Sequence, residues 1–182
     1  MYKKDFYFNQ AKLNKYRSRS AYKIKEILQK FSLLQKSHNA IELGAAPGGW
    51  TQVLRETLKG NITAIDIKKM HPIANVTFDQ INFHDFQSNE EYDIIFSDMS
   101  PSTTGDVDGD HYKMVQLALS VLKFTKNHLI QNGHCLLKTF SGTDDRDLLL
   151  EFKTKFKKVK TFKPKASKQD SREYYIIALY KL

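Results

Sequence analysis

The sequence predicts an α/β fold: a mostly parallel, seven-stranded sheet with helices on both faces and an antiparallel last strand. Three observations predict it. Short apolar runs of strand length alternate with helical periodicities through most of the chain, the pattern of a parallel sheet covered on both sides. The first run, Ala40–Leu43, stops at Gly44-Ala-Ala-Pro-Gly-Gly49, where three glycines and one proline fall within six residues. Such a strand-to-helix turn lets backbone N–H groups approach a ligand at the positive end of a helix. The last two strand-like runs have no helix between them. They pair antiparallel, since a parallel return needs a long crossover.

Taken in order, residues 1–18 form a basic and aromatic N-terminal arm, and residues 19–182 a single domain. Residues 1–20 interleave Tyr2, Phe6, Tyr7, Phe8 and Tyr16 with Lys3, Lys4, Lys12, Lys15, Arg17 and Arg19. Cations for phosphates beside aromatic faces for bases suit a single-stranded RNA contact; a poorly ordered tail is the plainer alternative. From Ser20, Ile24, Ile27, Leu28 and Phe31 mark one helix face. Lys23 borders that stripe and on periodicity alone is a snorkelling surface lysine. Trp50–Leu58 reads as the next helix, closed by Gly60. Strand Ile62–Ile67 brings Asp66 to its end, the place of a ribose-binding acid in nucleotide-binding βαβ units.

Strands Val76–Ile81 and Tyr92–Ser97 follow, the second running into Asp98. Thr103–Asp110 is polar and glycine-containing and reads as a loop. Met114–Gln131 carries Val115, Ala118, Leu119, Leu122 and Leu129 on one face, with an Asn132-Gly133 stop. Strand His134–Thr139 holds Lys138, helix Asp144–Lys155 comes next, and Lys157–Phe162 and Tyr174–Tyr180 are the final strands. Between them lies the basic loop Lys163–Arg172.

Composition limits the function classes. A chain of 182 residues with 41% hydrophobic residues suffices for one domain with a full core. No apolar run reaches membrane-spanning length, and Met1-Tyr-Lys-Lys-Asp lacks the apolar centre of a signal peptide. The lone Cys135, in an apolar run, excludes an internal disulfide and reads as an inert core thiol. The expected setting is therefore the cytoplasm, or an organelle, with no membrane partner. Net charge is +9 and unevenly spread: residues 1–30 and 151–182 are +7 each, and the middle is −5. Basic ends suit a polyanion, although solubility alone would account for them. Asp106, Asp108 and Asp110 resemble the start of a calcium loop, but the twelfth position holds Leu117 in place of Glu. The six histidines lack metal-ligand spacing, so no metal site is expected.

Ligands of such sheets bind at the carboxyl ends of the strands, where strand order reverses. Gly44, Asp66, Asp98 and Lys138 all fall at that edge, and Glu173 joins them if the final strand runs antiparallel. Each charge alone is more often a surface or salt-bridged group than a catalytic one; their shared edge favours function.

Gly44-Ala-Ala-Pro-Gly-Gly-Trp50, Ser97-Asp-Met-Ser-Pro101, Leu137-Lys-Thr-Phe140 and Ser171-Arg-Glu-Tyr-Tyr175, preceded by Arg17-Ser-Arg-Ser-Ala-Tyr-Lys-Ile24, closely resemble the FtsJ family of ribose 2′-O-methyltransferases. The resemblance is collinear from about Lys15 to the C-terminus. It implies a Rossmann-like fold that binds S-adenosylmethionine (AdoMet), and a catalytic tetrad of Lys23, Asp98, Lys138 and Glu173. Cofactor contacts would fall on Gly44, Ala45, Pro47, Gly48, Gly49 and Trp50, on Asp66 at the ribose, and on Asp98 near the sulfonium. The family's Gly-Asp-Phe after the third strand is Ile81-Asn-Phe83 here, so Asn82 would face the adenine, accepting one hydrogen bond and donating another. The implied partner is RNA, with a uridine of large-subunit ribosomal RNA first and a tRNA anticodon loop or an mRNA cap as alternatives, acted on by a monomer. In the family's chemistry Lys138 accepts the hydroxyl proton. A lysine near its reference pKa of about 10.4 is almost wholly charged at neutral pH, so that role requires burial and Lys23 to outweigh Asp98 and Glu173.

Two other classes compete. Gly44-x-Ala46-x-x-Gly49 approximates the fingerprint of an NAD-dependent oxidoreductase, which leaves Asp98, Lys138, Glu173 and the basic ends unexplained. A non-catalytic RNA-binding module would explain the charge and not the tetrad.

Overall fold

A computed structural model of the chain describes residues 6–33, 39–102 and 104–182. The strands are β1 (Asn39–Leu43), β2 (Asn61–Asp66), β3 (Thr77–Gln80), β4 (Tyr92–Ser97), β5 (Leu129–Phe140), β6 (Phe156–Phe162) and β7 (Glu173–Lys181). They form one sheet in the order β3-β2-β1-β4-β5-β7-β6. β1 through β5 pair in parallel, while β7 is antiparallel to both β5 and β6. The chain moves outward from β1 on one side and restarts at β4 on the other. The reversal therefore lies between β1 and β4, where a ligand crevice opens.

Alternation along the strands divides the core into two layers. Ile41, Leu43, Ile95, Cys135 and Leu137 face α4 (Val107–His128) and α5 (Asp145–Lys153). Ala40, Ile94, Phe96, Leu136, Tyr175 and Ile177 face α2 (Ala21–Phe31) and α3 (Gly49–Thr57). Each large side chain fully buried in these layers, Trp50, Phe96 and Phe152 among them, contributes about 1.5–3 kcal/mol. Among the described residues, no helix is long and apolar enough to cross a membrane.

Three elements differ from the sequence expectation. The N-terminal arm contains a helix, α1 (Phe6–Leu13), which buries Ala11 and sets Tyr7 against Tyr22; the arm residues Tyr2, Lys3 and Lys4 lie outside the described residues. Tyr16 and Arg17 bond to α3 and the loop before it. The Thr103–Asp110 segment, of which Thr103 is not described, is a loop only as far as Asp106. Asp106 caps α4 by accepting from the Asp108 N–H, and Asp108 and Asp110 fall in the first turn, where acids complement the helix dipole. At the other end α4 closes at His128, and Asn132-Gly133 sits inside β5, with Asn132 at φ 61.

Candidate functional site

Gly44 leaves β1 at φ 80, and a Cβ there would meet Met99 Cγ at 2.4 Å. The loop after β1 and the loop after β4 can therefore touch only through a glycine. Gly44 and Ala45 donate to the Ile65 carbonyl at 2.9 and 3.1 Å, and the Ala46 N–H donates to Asp66 Oδ2 at 2.8 Å. Asp66 Oδ1 accepts from the Lys68 N–H at 2.8 Å. Asp66 thus fixes the glycine loop and its own loop at once. Gly48, at φ 107, is the N-cap of α3, whose first-turn N–H groups have no partner within the helix.

A cavity of about 600 Å³ opens at this edge, within the usual range of about 300–1,000 Å³ for small-molecule sites. Gly44, Ala46, Asp66, Asn82, Asp98 and Met99 line it. Asn82 Oδ1 accepts from the His84 N–H at 3.1 Å. A cavity with carboxylates at two strand ends, Asp66 and Asp98, fits AdoMet, whose ribose needs acceptors and whose sulfonium is cationic. The far wall, Lys113, Gln116, Leu117 and Ser120 of α4, was not singled out from sequence. Its signal is there: these residues recur at helical spacing on one face.

Of the residues expected to contact the cofactor, Ala45, Pro47, Gly48, Gly49 and Trp50 do not line this cavity. Trp50 is no cavity wall. Its side chain is buried, donates from Nε1 to the Ser20 carbonyl at 2.9 Å, and packs against Phe96 and Tyr175. Gly48 and Gly49 turn toward the N-terminal segment, within reach of Arg17 and Ser18. Ala45 is buried and Pro47 follows a cis peptide bond.

The four tetrad side chains meet beside the cavity as two ion pairs. Lys138 Nζ donates to the Asp98 carbonyl at 2.7 Å and lies 3.3 Å from Asp98 Oδ1. Lys23 pairs with Glu173 Oε1, which also accepts from the Ser167 hydroxyl at 2.7 Å. Register explains the convergence. Lys138 stands opposite Tyr175, and Phe140 opposite Glu173, so Lys138, Tyr175 and Glu173 share the α2 face of the sheet. Lys23 reaches them from α2. All four are nearly buried, with 11–19% side-chain exposure. Burial pushes the Glu173 carboxyl up, but the Lys23 ammonium, the Ser167 hydroxyl and Lys138 outweigh it and hold the group below its ordinary value.

Two further groups belong to the site. The Tyr175 hydroxyl donates to Asp98 Oδ1 at 3.2 Å; burial, with Asp98 and Glu173, raises its pKa well above that of a free phenol, so it stays a donor. Glu42, wholly inside β1, accepts from the Thr51 hydroxyl at 2.6 Å. Burial pushes its pKa up to about 8, against the lowering effect of Thr51 and with Asp98 and Asp66 adding to the rise. Neither was chosen as a site residue from sequence, Tyr175 because its neighbour Glu173 is the charged one, Glu42 because it sits inside an apolar run.

The profile of the FtsJ-like methyltransferases matches residues 16–181. The large-subunit ribosomal RNA methyltransferase E of Methanosphaera stadtmanae is 37% identical, over 96% of this chain and 92% of its own length. The protein of the same name from Wolbachia pipientis wMel is 40% identical, over 96% of this chain and 94% of its own. A crystal structure of a ribosomal RNA methyltransferase from Plasmodium falciparum aligns with a TM-score of 0.82 at 32% identity, covering 92% of this chain and 99% of that one.

Proposed function

The chain belongs to the FtsJ-like family of AdoMet-dependent methyltransferases, and from that premise we propose that it methylates a ribose 2′-hydroxyl of large-subunit ribosomal RNA, at a uridine. The observation that carries this reading is the pairing of Lys138 with Asp98 beside Lys23 and Glu173 at the cavity mouth. AdoMet, when bound, supplies an electrophilic methyl group on a sulfonium. The chain's own residues must then align a hydroxyl with it, exclude water and receive the proton. Asp98 belongs to both the cavity and the tetrad, so it ties the two substrates together. Tyr175 and Lys138 fix its carboxylate. Lys23 and Ser167 fix Glu173, leaving Lys138 as the group nearest the cavity that can exchange a proton with the hydroxyl. In this reading the neutral amine of Lys138 is the general base and takes up the hydroxyl proton.

Support for the RNA class comes from the relatives' names and from the basic Lys163–Arg172 loop at the same edge, which is suited to phosphate contacts and carries no sequence code. The setting we propose is the cytoplasm or an organelle, where ribosomal subunits assemble, with the protein acting as a monomer.

Tritiated AdoMet offered with undermethylated large ribosomal subunits, tRNA and capped mRNA in parallel tests the reading. The label should enter large-subunit RNA and appear, after digestion to nucleosides, as 2′-O-methyluridine. Incorporation into tRNA or cap alone would overturn the substrate, and label on a base would overturn the chemistry. Lys138→Arg tests the base: arginine keeps the cation and cannot give up its proton, so transfer should fall by about 10²-fold or more.

A further inference from the structure

Composition places Arg17 among the cations of the arm, yet its guanidinium is bonded to backbone carbonyls of the fold. Arg17 Nη1 donates to the carbonyls of Pro47 at 3.3 Å and His71 at 2.6 Å, and Nη2 donates to the Pro72 carbonyl at 2.9 Å. Three of five guanidinium donors are thus committed to two loops, the one after β1 and the one after β2. Its backbone N–H donates to Gln52 Oε1 at 2.8 Å, while Gln52 Nε2 donates to the Lys15 carbonyl at 3.0 Å. α3 thereby brackets the segment on which Arg17 sits.

The neighbouring residues extend the same contact. A Cβ on Gly48 would lie 2.8 Å from Arg17 Nη1, and one on Gly49 would lie 2.1 Å from Ser18 Oγ. Gly49 has no room for a side chain because this segment is seated against it, while Gly48 is held at φ 107, where glycine is favoured. Ser20 accepts from the Trp50 indole, and α2, carrying Lys23, starts at the next residue.

We propose that Arg17 is a positioning residue for the cofactor loop: from outside the cavity it fastens Pro47 to His71 and Pro72, and so steadies the loop whose Ala46 lines the cavity. Fixing two loops in advance lowers the ordering cost that the cofactor would otherwise meet. A lysine at this position keeps the charge but cannot span both loops with a planar fork. The proposal concerns the cofactor alone and stands whatever RNA the enzyme modifies.

The test uses the full chain without RNA. In calorimetric titration with S-adenosylhomocysteine, Arg17→Lys should raise Kd by about tenfold. Amides in 46–49 and 70–72 should exchange faster with deuterium in the ligand-free protein, while its melting temperature stays within about 3 °C of the parent. Affinity for the RNA substrate should be unchanged, because the charge is kept. An unchanged Kd for S-adenosylhomocysteine, or a loss confined to RNA affinity, would overturn the proposal. If Arg17→Lys does not fold, a second pair decides: Gly49→Ala should weaken S-adenosylhomocysteine binding by forcing Ser18 away, and adding Ser18→Gly should restore it. Failure of that rescue would overturn the seating of the segment on the loop.

Discussion

The cavity and the tetrad share Asp98 but are built differently. The cavity takes its shape from backbone: a glycine at positive φ, a close approach to Met99, and N–H groups held by Ile65 and Asp66. The tetrad is built mainly from side chains delivered by α2, β5, β7 and the end of β4, with one bond from Lys138 to the Asp98 carbonyl, and each of its two ion pairs joins elements far apart in sequence. Small substitutions should therefore act in opposite ways. A change in a tetrad side chain removes chemistry and leaves the cavity standing. A change in the loop alters affinity and leaves the chemistry intact.

Asp98→Ala should break the comparison, because this residue belongs to both halves. Transfer is expected to fall by about 10³-fold and the AdoMet Kd to rise by about tenfold, read by single-turnover labelling and calorimetry on the same preparation. Tyr175→Phe removes one hydrogen bond to a carboxylate and nothing from the cavity. Its expected cost is about tenfold in turnover, with cofactor affinity unmoved. Asn82→Ala probes the opposite side: a severalfold rise in AdoMet Kd, on the order of one hydrogen bond, with turnover at saturating cofactor retained.

Glu42 sharpens the comparison through pH. Its folded pKa of about 8 lies above the reference value of 4.5, so the folded state keeps a proton that the unfolded state has lost. Its contribution to stability is complete below about pH 4.5 and is lost as pH rises toward 8. The slope approaches 1.4 kcal/mol per pH unit at most. Glu42→Gln should flatten that decline in denaturant melts and raise stability at pH 8. A parallel pH profile in both proteins would show that Glu42 is ionised in the fold.

Much of this was legible in the sequence where one physical cause dominates. β4 has the bounds its apolar run implies, Tyr92–Ser97, because both faces are buried and polar residues close each end. The convergence of Asp98, Lys138 and Glu173 followed from strand polarity once β7 was antiparallel. What could not be read were choices made by tertiary partners. The acids at 106, 108 and 110 look like a loop in composition. They start a helix because Asp106 caps it, while Thr104 and Gly105 bond to the Asp110 carboxylate and hold it below its ordinary pKa. Arg17 looks like a phosphate ligand because its acceptors are carbonyls, which leave no trace in residue identity. Trp50, next to the glycines, points inward because Ser20 and Tyr175 await it on the α2 face.

The measurement that tests the separation of binding from chemistry most directly is a paired one on Lys138→Ala: AdoMet affinity by calorimetry and methyl transfer to large-subunit RNA in a single turnover. Unchanged affinity with transfer reduced by about 10³-fold is the predicted result. Near-normal transfer, or a loss of affinity matching the loss of transfer, would contradict it.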